Sequence, residues 1–174
     1  MYWLIGLFDK ETESRISTIR KEMNTGLHTP SAERPHLSIG GYRELDIHPY
    51  ILMMEQHLTT CPRIEITFQS IGAFMNYPAL FLSPVMTKEL MHFHLHYYEK
   101  FDRFSYAAND HYLPNHWVPH CTILNHVSLD PMRDGAALFL NKSQPFSGLL
   151  TEVALVQEEG PLIHSVNLRN PPAP

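Results

Sequence analysis

The stretch RPHLSI at residues 34–39 recurs later in the chain as VPHCTI at residues 118–123. In each copy a proline precedes a histidine, one residue separates the histidine from a hydroxyl side chain, and an isoleucine follows. Side chains two positions apart on a strand project from the same face, about 6–7 Å from each other. We therefore predict that His36 shares a strand face with Ser38 and that His120 shares one with Thr122.

The duplicated pattern suits the cleavage of a phosphodiester without a metal ion. Such cleavage needs one group that activates the attacking oxygen and another that protonates the leaving oxygen, and histidine suits both roles because its pKa lies near neutral pH. Hydroxyl groups can donate hydrogen bonds to the non-bridging phosphate oxygens. We interpret His36 and His120 as a catalytic acid–base pair and Ser38 and Thr122 as phosphate-binding residues, with no metal site and no cofactor.

The two motifs resemble the His-x-Ser/Thr signatures of the two-histidine (2H) phosphoesterase superfamily, which includes 2′-5′ RNA ligase-like and cyclic phosphodiesterase families. The resemblance implies an α+β bilobal fold, with two pseudo-symmetric lobes of antiparallel sheet and flanking helices around a central cleft. It also implies metal-independent cleavage of 2′,3′-cyclic phosphates or 2′-5′ phosphodiester bonds of RNA ends or small nucleotides. Many relatives have bulkier apolar residues where this chain has Gly40-Gly41-Tyr42, which predicts a locally wider cleft.

Periodicity and turn signals predict one pattern of elements written twice. The predicted elements are a strand at 2–8, a helix capped by Asp9 and ending near Gly26, a strand at 36–40, a helix capped by Asp46, a hairpin at 63–75 and 79–85, a helix capped by Thr87, a strand at 117–127, a helix opened by Asp130-Pro131 as N-cap and first residue, and a hairpin at 149–157 and 163–168. We expect residues 1–169 to form a single bilobal domain and residues 170–174 to form a disordered tail.

Composition limits the classes of protein and partner. Of 174 residues, 44% are hydrophobic and 18% are charged, which is typical of a globular chain. The net charge of −5 disfavours long duplex nucleic acid but permits a small phosphodiester or an RNA end. Two cysteines cannot form a disulfide framework, the apolar N-terminus is typical of a strand and not of a signal peptide, and no segment is long enough to span a membrane. We expect a cytoplasmic monomer without a membrane partner.

Further candidates flank the motifs. Phosphate or base contacts are assigned to Arg34, Tyr42, Arg43 and Trp117, with Phe74 and Tyr77 as additional aromatic candidates. The run His92-x-His94-x-His96 would put three rings on one face of a strand and bind zinc, but its neighbours favour a helix with solvated or interfacial histidines. Two alternatives stay open: a non-catalytic module that binds phosphate or RNA ends, and a metallohydrolase that uses the His92 cluster.

Overall fold

The computed structural model describes residues 1–23, 34–75, 77–126, 128–158 and 160–170. The elements, in chain order, are β1 (Tyr2–Phe8), α1 (Lys10–Met23), β2 (His36–Tyr42), α2 (Ile47–Met53) continued by a π-helical turn (Met54–Leu58), β3 (Ile64–Ala73), β4 (Ala79–Pro84), α3 (Lys88–Lys100), two 3₁₀ turns (Asp102–Ala107 and Asp110–Tyr112), β5 (Cys121–Asn125), α4 (Leu129–Lys142), β6 (Phe146–Gln157) and β7 (Leu162–Asn167). The predicted helix stop at Gly26, and residues 171–174 of the predicted tail, lie outside the described residues.

One antiparallel sheet contains every strand, in the order β2-β1-β6-β3-β4-β5, with β7 paired to β6. The order is symmetric about the β6–β3 pair. The first half of the chain is β1-α1-β2-α2-β3 and the second is β4-α3-β5-α4-β6, and the last strand of each half crosses over to pair with the first strand of the other. The predicted repeat and the α+β bilobal fold are therefore confirmed.

Helix caps explain where two of the helices begin. The Asp9 carboxylate accepts hydrogen bonds from the main-chain N–H of Thr12 at 2.9 Å and of Leu149 at 3.1 Å, so it caps α1 and also ties the helix to β6. The Thr87 hydroxyl accepts from the N–H of Leu90 at 3.2 Å and caps α3. Both predicted caps are confirmed.

Two other predicted caps are wrong in detail. Asp46 occupies the N-cap position of α2, but its side chain makes no capping hydrogen bond. Helix α4 begins at Leu129 with Ser128 as its N-cap, so Asp130 and Pro131 lie within its first turn. The first-turn N–H groups of a helix have no intrahelical acceptor, so a proline is tolerated at more than one position there.

The predicted strand at 117–127 is also too long. Strand β5 runs only from Cys121 to Asn125, and residues 117–120 approach it without ladder pairing. Pro119 has no N–H to contribute to a ladder, which is consistent with a start after His120. The sequence also predicts a polar loop at about 105–116. This segment includes half of one 3₁₀ turn, at residues 105–107, and all of the other.

Aromatic residues fill the core behind β2. The hydroxyl of Tyr97 is hydrogen-bonded to those of Tyr42 and Tyr50, and all three side chains are at most 1% exposed. A Cβ atom on Gly40 would lie 2.7 Å from the Tyr97 hydroxyl, and one on Gly41 would lie 2.5 Å from the Trp3 ring. The prediction of a wider cleft at these glycines is wrong, because aromatic rings occupy the space.

No helix in the described ranges is long and apolar enough to cross a membrane.

Replacing Gly40 with alanine tests this packing. We expect Gly40→Ala to lower the free energy of unfolding by about 1–3 kcal/mol, because the added methyl group must displace the buried Tyr97 ring. Urea unfolding followed by circular dichroism measures the change. Gly160→Ala is the control, since Gly160 is exposed and its nearest atoms, in Gln157, are at 3.1 Å or more. An unchanged stability of Gly40→Ala would contradict the packing.

Candidate active site

The two motifs lie on β2 and β5, the outermost strands of the six-strand order, and the structure brings them together. The main-chain N–H of His36 donates a hydrogen bond to the Cys121 thiol, which joins the beginnings of the two motif strands. The indole N–H of Trp117 donates to the carbonyl of Ser38 at 2.9 Å. The outer strands of the sheet therefore contact each other, and the two histidine motifs lie next to each other.

Burial alternates along both motifs, as their spacing predicts. His36, Ser38, His120 and Thr122 are half-buried. The residues between and after them are at most 2% exposed: Leu37, Ile39, Cys121 and Ile123. The histidine and hydroxyl side chains of each motif are thus on the more accessible side, while the intervening residues pack in the core.

Both imidazoles are oriented by the same hydrogen bond. Nδ1 of His36 lies 2.8 Å from the carbonyl oxygen of Arg34, and Nδ1 of His120 lies 2.7 Å from that of Val118. A carbonyl can only accept, so Nδ1 carries the proton and, in the neutral ring, Nε2 carries the lone pair. A buried proline stands between each histidine and its acceptor, and it restricts the preceding residue to an extended conformation. The proline of each motif therefore helps to hold the carbonyl that keeps the proton of the neutral imidazole on Nδ1.

His120 is set against two phenylalanine rings. Its ring centroid is 4.9 Å from that of Phe74, edge to face, and 5.4 Å from that of Phe81. Burial lowers the pKa of His120, and the hydrogen bond to the Val118 carbonyl offsets part of that effect. A neutral imidazole with its lone pair on Nε2 can accept a proton, as a general base must.

Both motif strands contain a β-bulge at the same place. In the pairing of β2 with β1, Ile39 is skipped, and in the pairing of β5 with β4, Ile123 is skipped. The isoleucine that ends each motif is thus the extra residue, and beyond it the alternation of faces reverses. Tyr42, expected to contact the substrate, lies beyond the bulge in β2, and its side chain is turned into the core. At 1% exposure it does not fit the expected ligand contact, so that prediction is corrected.

The arginines expected near the phosphate have other surroundings. The guanidinium of Arg34 lies 2.6 Å from Glu13 and 3.6 Å from Glu152, so two carboxylates already pair its charge, while its carbonyl orients His36. Arg43 is exposed, and its main-chain N–H donates to Ala107 at 2.9 Å. Among the contacts of the described residues, none joins either guanidinium to the motif hydroxyls.

The histidine run on α3 is helical, as its neighbours predict. His94 is 3% exposed, its Nε2 is 2.9 Å from the carbonyl of Tyr112, and its ring stacks on Trp117 at 3.9 Å and 1°. Burial lowers the pKa of His94 to about 4, so the ring is neutral at neutral pH. Across the described ranges, no three potential ligands converge as a metal site would require.

Sequence reasoning missed Arg20, Phe81 and Tyr112. Arg20 in α1 donates to the carbonyl of Thr122, and the hydroxyl of Tyr112 is hydrogen-bonded to the side chain of Ser38. These contacts join residues distant in the chain and carry no local signal. The burial of His94 did have a local signal. His94 lies four residues after Leu90 and three before Tyr97, which places it on the buried face of α3.

Comparisons with known proteins identify the family and agree with the fold. The sequence model of the 2′-5′ RNA ligase superfamily matches residues 8–161. The protein TT0787 of Thermus thermophilus superposes with a TM-score of 0.65 at 12% identity, over 97% of this chain and 98% of that one. LigT of E. coli in its apo form gives a TM-score of 0.59 at 14% identity, over 96% of each chain. At these identities the likeness shows a shared fold, and no curated protein sequence matches significantly.

The environment of His120 can be tested by titration. We expect Phe74→Asn to raise the pKa of His120 toward its ordinary value, because a polar side chain at this half-buried position admits water to the ring. The measurement is an NMR titration of the histidine ring protons. Phe74→Leu is the matched control and should leave the pKa low. Equal pKa values in the two variants would contradict the role of the phenylalanine.

Proposed function

Because the chain belongs to the 2′-5′ RNA ligase superfamily, we propose that it is a metal-independent phosphodiesterase acting on 2′,3′-cyclic phosphate or 2′-5′ phosphodiester bonds. Its substrates would be RNA ends or small nucleotides, bound by a monomer. The observation that carries the proposal is the matched pair of imidazoles, each with Nδ1 on the carbonyl two residues before it. Both rings are thereby prepared for proton transfer at Nε2, which a site that only binds phosphate would not require.

The geometry and the pKa of His120 suggest a division of roles. Neutral His120 accepts a proton from water at Nε2 as the water oxygen attacks phosphorus. One P–O bond to the ribose breaks, and His36, protonated at Nε2, donates that proton to the leaving ribose oxygen. The hydroxyls of Ser38 and Thr122 donate hydrogen bonds to the non-bridging oxygens, where charge builds up in the transition state. This assigns the base to His120 because its burial favours the neutral ring.

Small nucleotides fit the proposal better than long nucleic acid. Structures of E. coli LigT are described as complexes with 3′-AMP, with NADP⁺, with ATP and with phosphate. In this chain, aromatic side chains lie next to the motif residues: Phe74 contacts His120, and the ring of Tyr112, bonded to Ser38, packs edge-on against Trp3. Aromatic faces are suitable surfaces for a nucleobase, whereas the net charge of −5 opposes binding of a long polyanion.

Substitution of the paired histidines tests the proposed activity. We expect His36→Ala and His120→Ala each to lower the turnover of a 2′,3′-cyclic nucleotide or a 2′-5′ oligomer by about 10²–10⁴-fold, because each removes a proton-transfer group. Activity should be unchanged by EDTA. The control is His92→Ala, since His92 is exposed on the helix α3. Turnover that survives both motif substitutions would show that the pair is not catalytic.

The pH dependence tests the assignment of the base. A base must be unprotonated, so kcat/KM should fall as the pH drops through the pKa of His120, and burial places that acidic limb below pH 6.5. At high pH the activity should fall again as the acid loses its proton, which gives a bell-shaped profile. Phe74→Asn should move the acidic limb to higher pH, in parallel with the pKa of His120. If the limb stays in place while that pKa moves, the base is another group.

A further inference from the structure

Equivalent carbonyls in the two motifs accept hydrogen bonds from side chains of the opposite half of the chain. The carbonyl of Ser38, in the first half, accepts from the indole N–H of Trp117, in the second half, at 2.9 Å. The carbonyl of Thr122, in the second half, accepts from Nε and Nη2 of Arg20, in the first half, at 3.0 and 2.8 Å. Each phosphate-binding residue is thus bonded through its main chain to the half that carries the other motif.

Trp117 is itself immobilised. It lies three residues before His120 in the segment that leads into β5, and its ring is stacked on His94. His94 is 3% exposed and is hydrogen-bonded to main-chain groups of Tyr112 and Ile39. Because Ile39 follows Ser38 in β2, the His94–Trp117 stack touches the first motif strand at two successive residues.

Arg20 serves the second motif in the same way. It lies on α1, is 6% exposed, and donates from Nε and Nη2 to one carbonyl oxygen, that of Thr122. It also hydrogen-bonds to the Cys121 thiol, directly before Thr122. A planar guanidinium that donates twice to one acceptor restrains the direction of the peptide group as well as its distance.

We propose that Trp117 and Arg20 are positioning residues for the phosphate-binding hydroxyls, Trp117 for Ser38 and Arg20 for Thr122. Each fixes the peptide plane of its hydroxyl residue and thereby the direction of that hydroxyl. The inference rests on the proposed function, since it assigns the hydroxyls to the phosphate. It gives Trp117 a role that is separate from the substrate contact predicted from the sequence. Small displacements of such groups are costly, because a misplacement of about 1 Å can lower a rate by about 10²-fold.

The test is a pair of crossed double-mutant cycles. Trp117→Phe keeps a ring on His94 but removes the N–H donor, and Arg20→Lys keeps the charge but removes the paired donors. Each is combined with Ser38→Ala and with Thr122→Ala, and kcat and KM are measured for a 2′,3′-cyclic nucleotide. Arg15→Lys is the matched control on α1, where Arg15 lies over the Phe146 ring and not at the motifs; it should leave kcat unchanged.

We expect each single positioning variant to lower kcat by about 10-fold with a smaller change in KM. Trp117→Phe should cause no further loss once Ser38 is alanine, but should retain its full effect beside Thr122→Ala. Arg20→Lys should show the reverse pattern. Thermal unfolding of each variant identifies loss of folded protein. Losses that multiply independently in all four combinations would indicate general destabilisation and overturn the inference, as would unchanged kcat in both single variants.

The proposed function and this inference can fail separately. A wild-type chain without turnover on any cyclic or 2′-5′ substrate would contradict the activity alone. The same set of variants is then titrated with inorganic phosphate by NMR, and the crossed pattern is expected in the dissociation constants. Additive losses of phosphate affinity in every combination, or no phosphate binding by the wild type, would overturn the positioning roles.

Discussion

The ladder between β3 and β6 joins the two halves of this molecule. It pairs Ile64 through Phe68 with Leu150 through Phe146, and it lies at the centre of the symmetric strand order. Strand β3 is the last strand of the first half and pairs with β4 of the second half. Strand β6 is the last strand of the second half and pairs with β1 of the first half. Without that antiparallel contact, β2, β1 and β6 would form one sheet and β3, β4 and β5 another, and no continuous sheet would connect the motif strands β2 and β5. The relative placement of the two motifs therefore depends on the ladder between β3 and β6.

The residues of the site owe their orientation to features on either side of each motif. Before each histidine, a proline holds the residue in front of it in an extended conformation. The carbonyl of that residue, Arg34 or Val118, fixes the imidazole. After each hydroxyl residue, a bulged isoleucine reverses the faces of the strand, and in β2 the side chain of Tyr42 beyond the bulge turns to the core. The repeated sequence thus places a histidine and a hydroxyl side chain on the accessible face of the strand. The bulge that follows reverses which side chains face the core.

Sequence predicted the paired motifs, the order of the elements and the caps at Asp9 and Thr87, because each depends on residues close together in the chain. It failed where the outcome depends on distant partners. Tyr42 is predicted to contact the substrate, yet it is buried in the core beyond the bulge at Ile39, and that bulge is a property of the pairing between β1 and β2. Arg20 gave no signal, because an arginine on a helix face is ordinarily solvated and its acceptor lies about a hundred residues away. For Trp117 the sequence predicts a substrate contact by the aromatic ring, whereas its hydrogen bond to the first motif is made by the indole N–H.

The pairing of β1 with β6 has a consequence for how the chain acquires its structure. Strand β1 comprises residues 2–8, yet one of its two neighbours is residues 150–157, close to the end of the described chain. During synthesis, one edge of β1 therefore remains unpaired until β6 has been synthesised. Contacts so remote in sequence slow folding, and an unpaired edge invites association with other chains. Because the last strand of the second half pairs with the first strand of the first half, the sheet can be completed only after the second half has been synthesised.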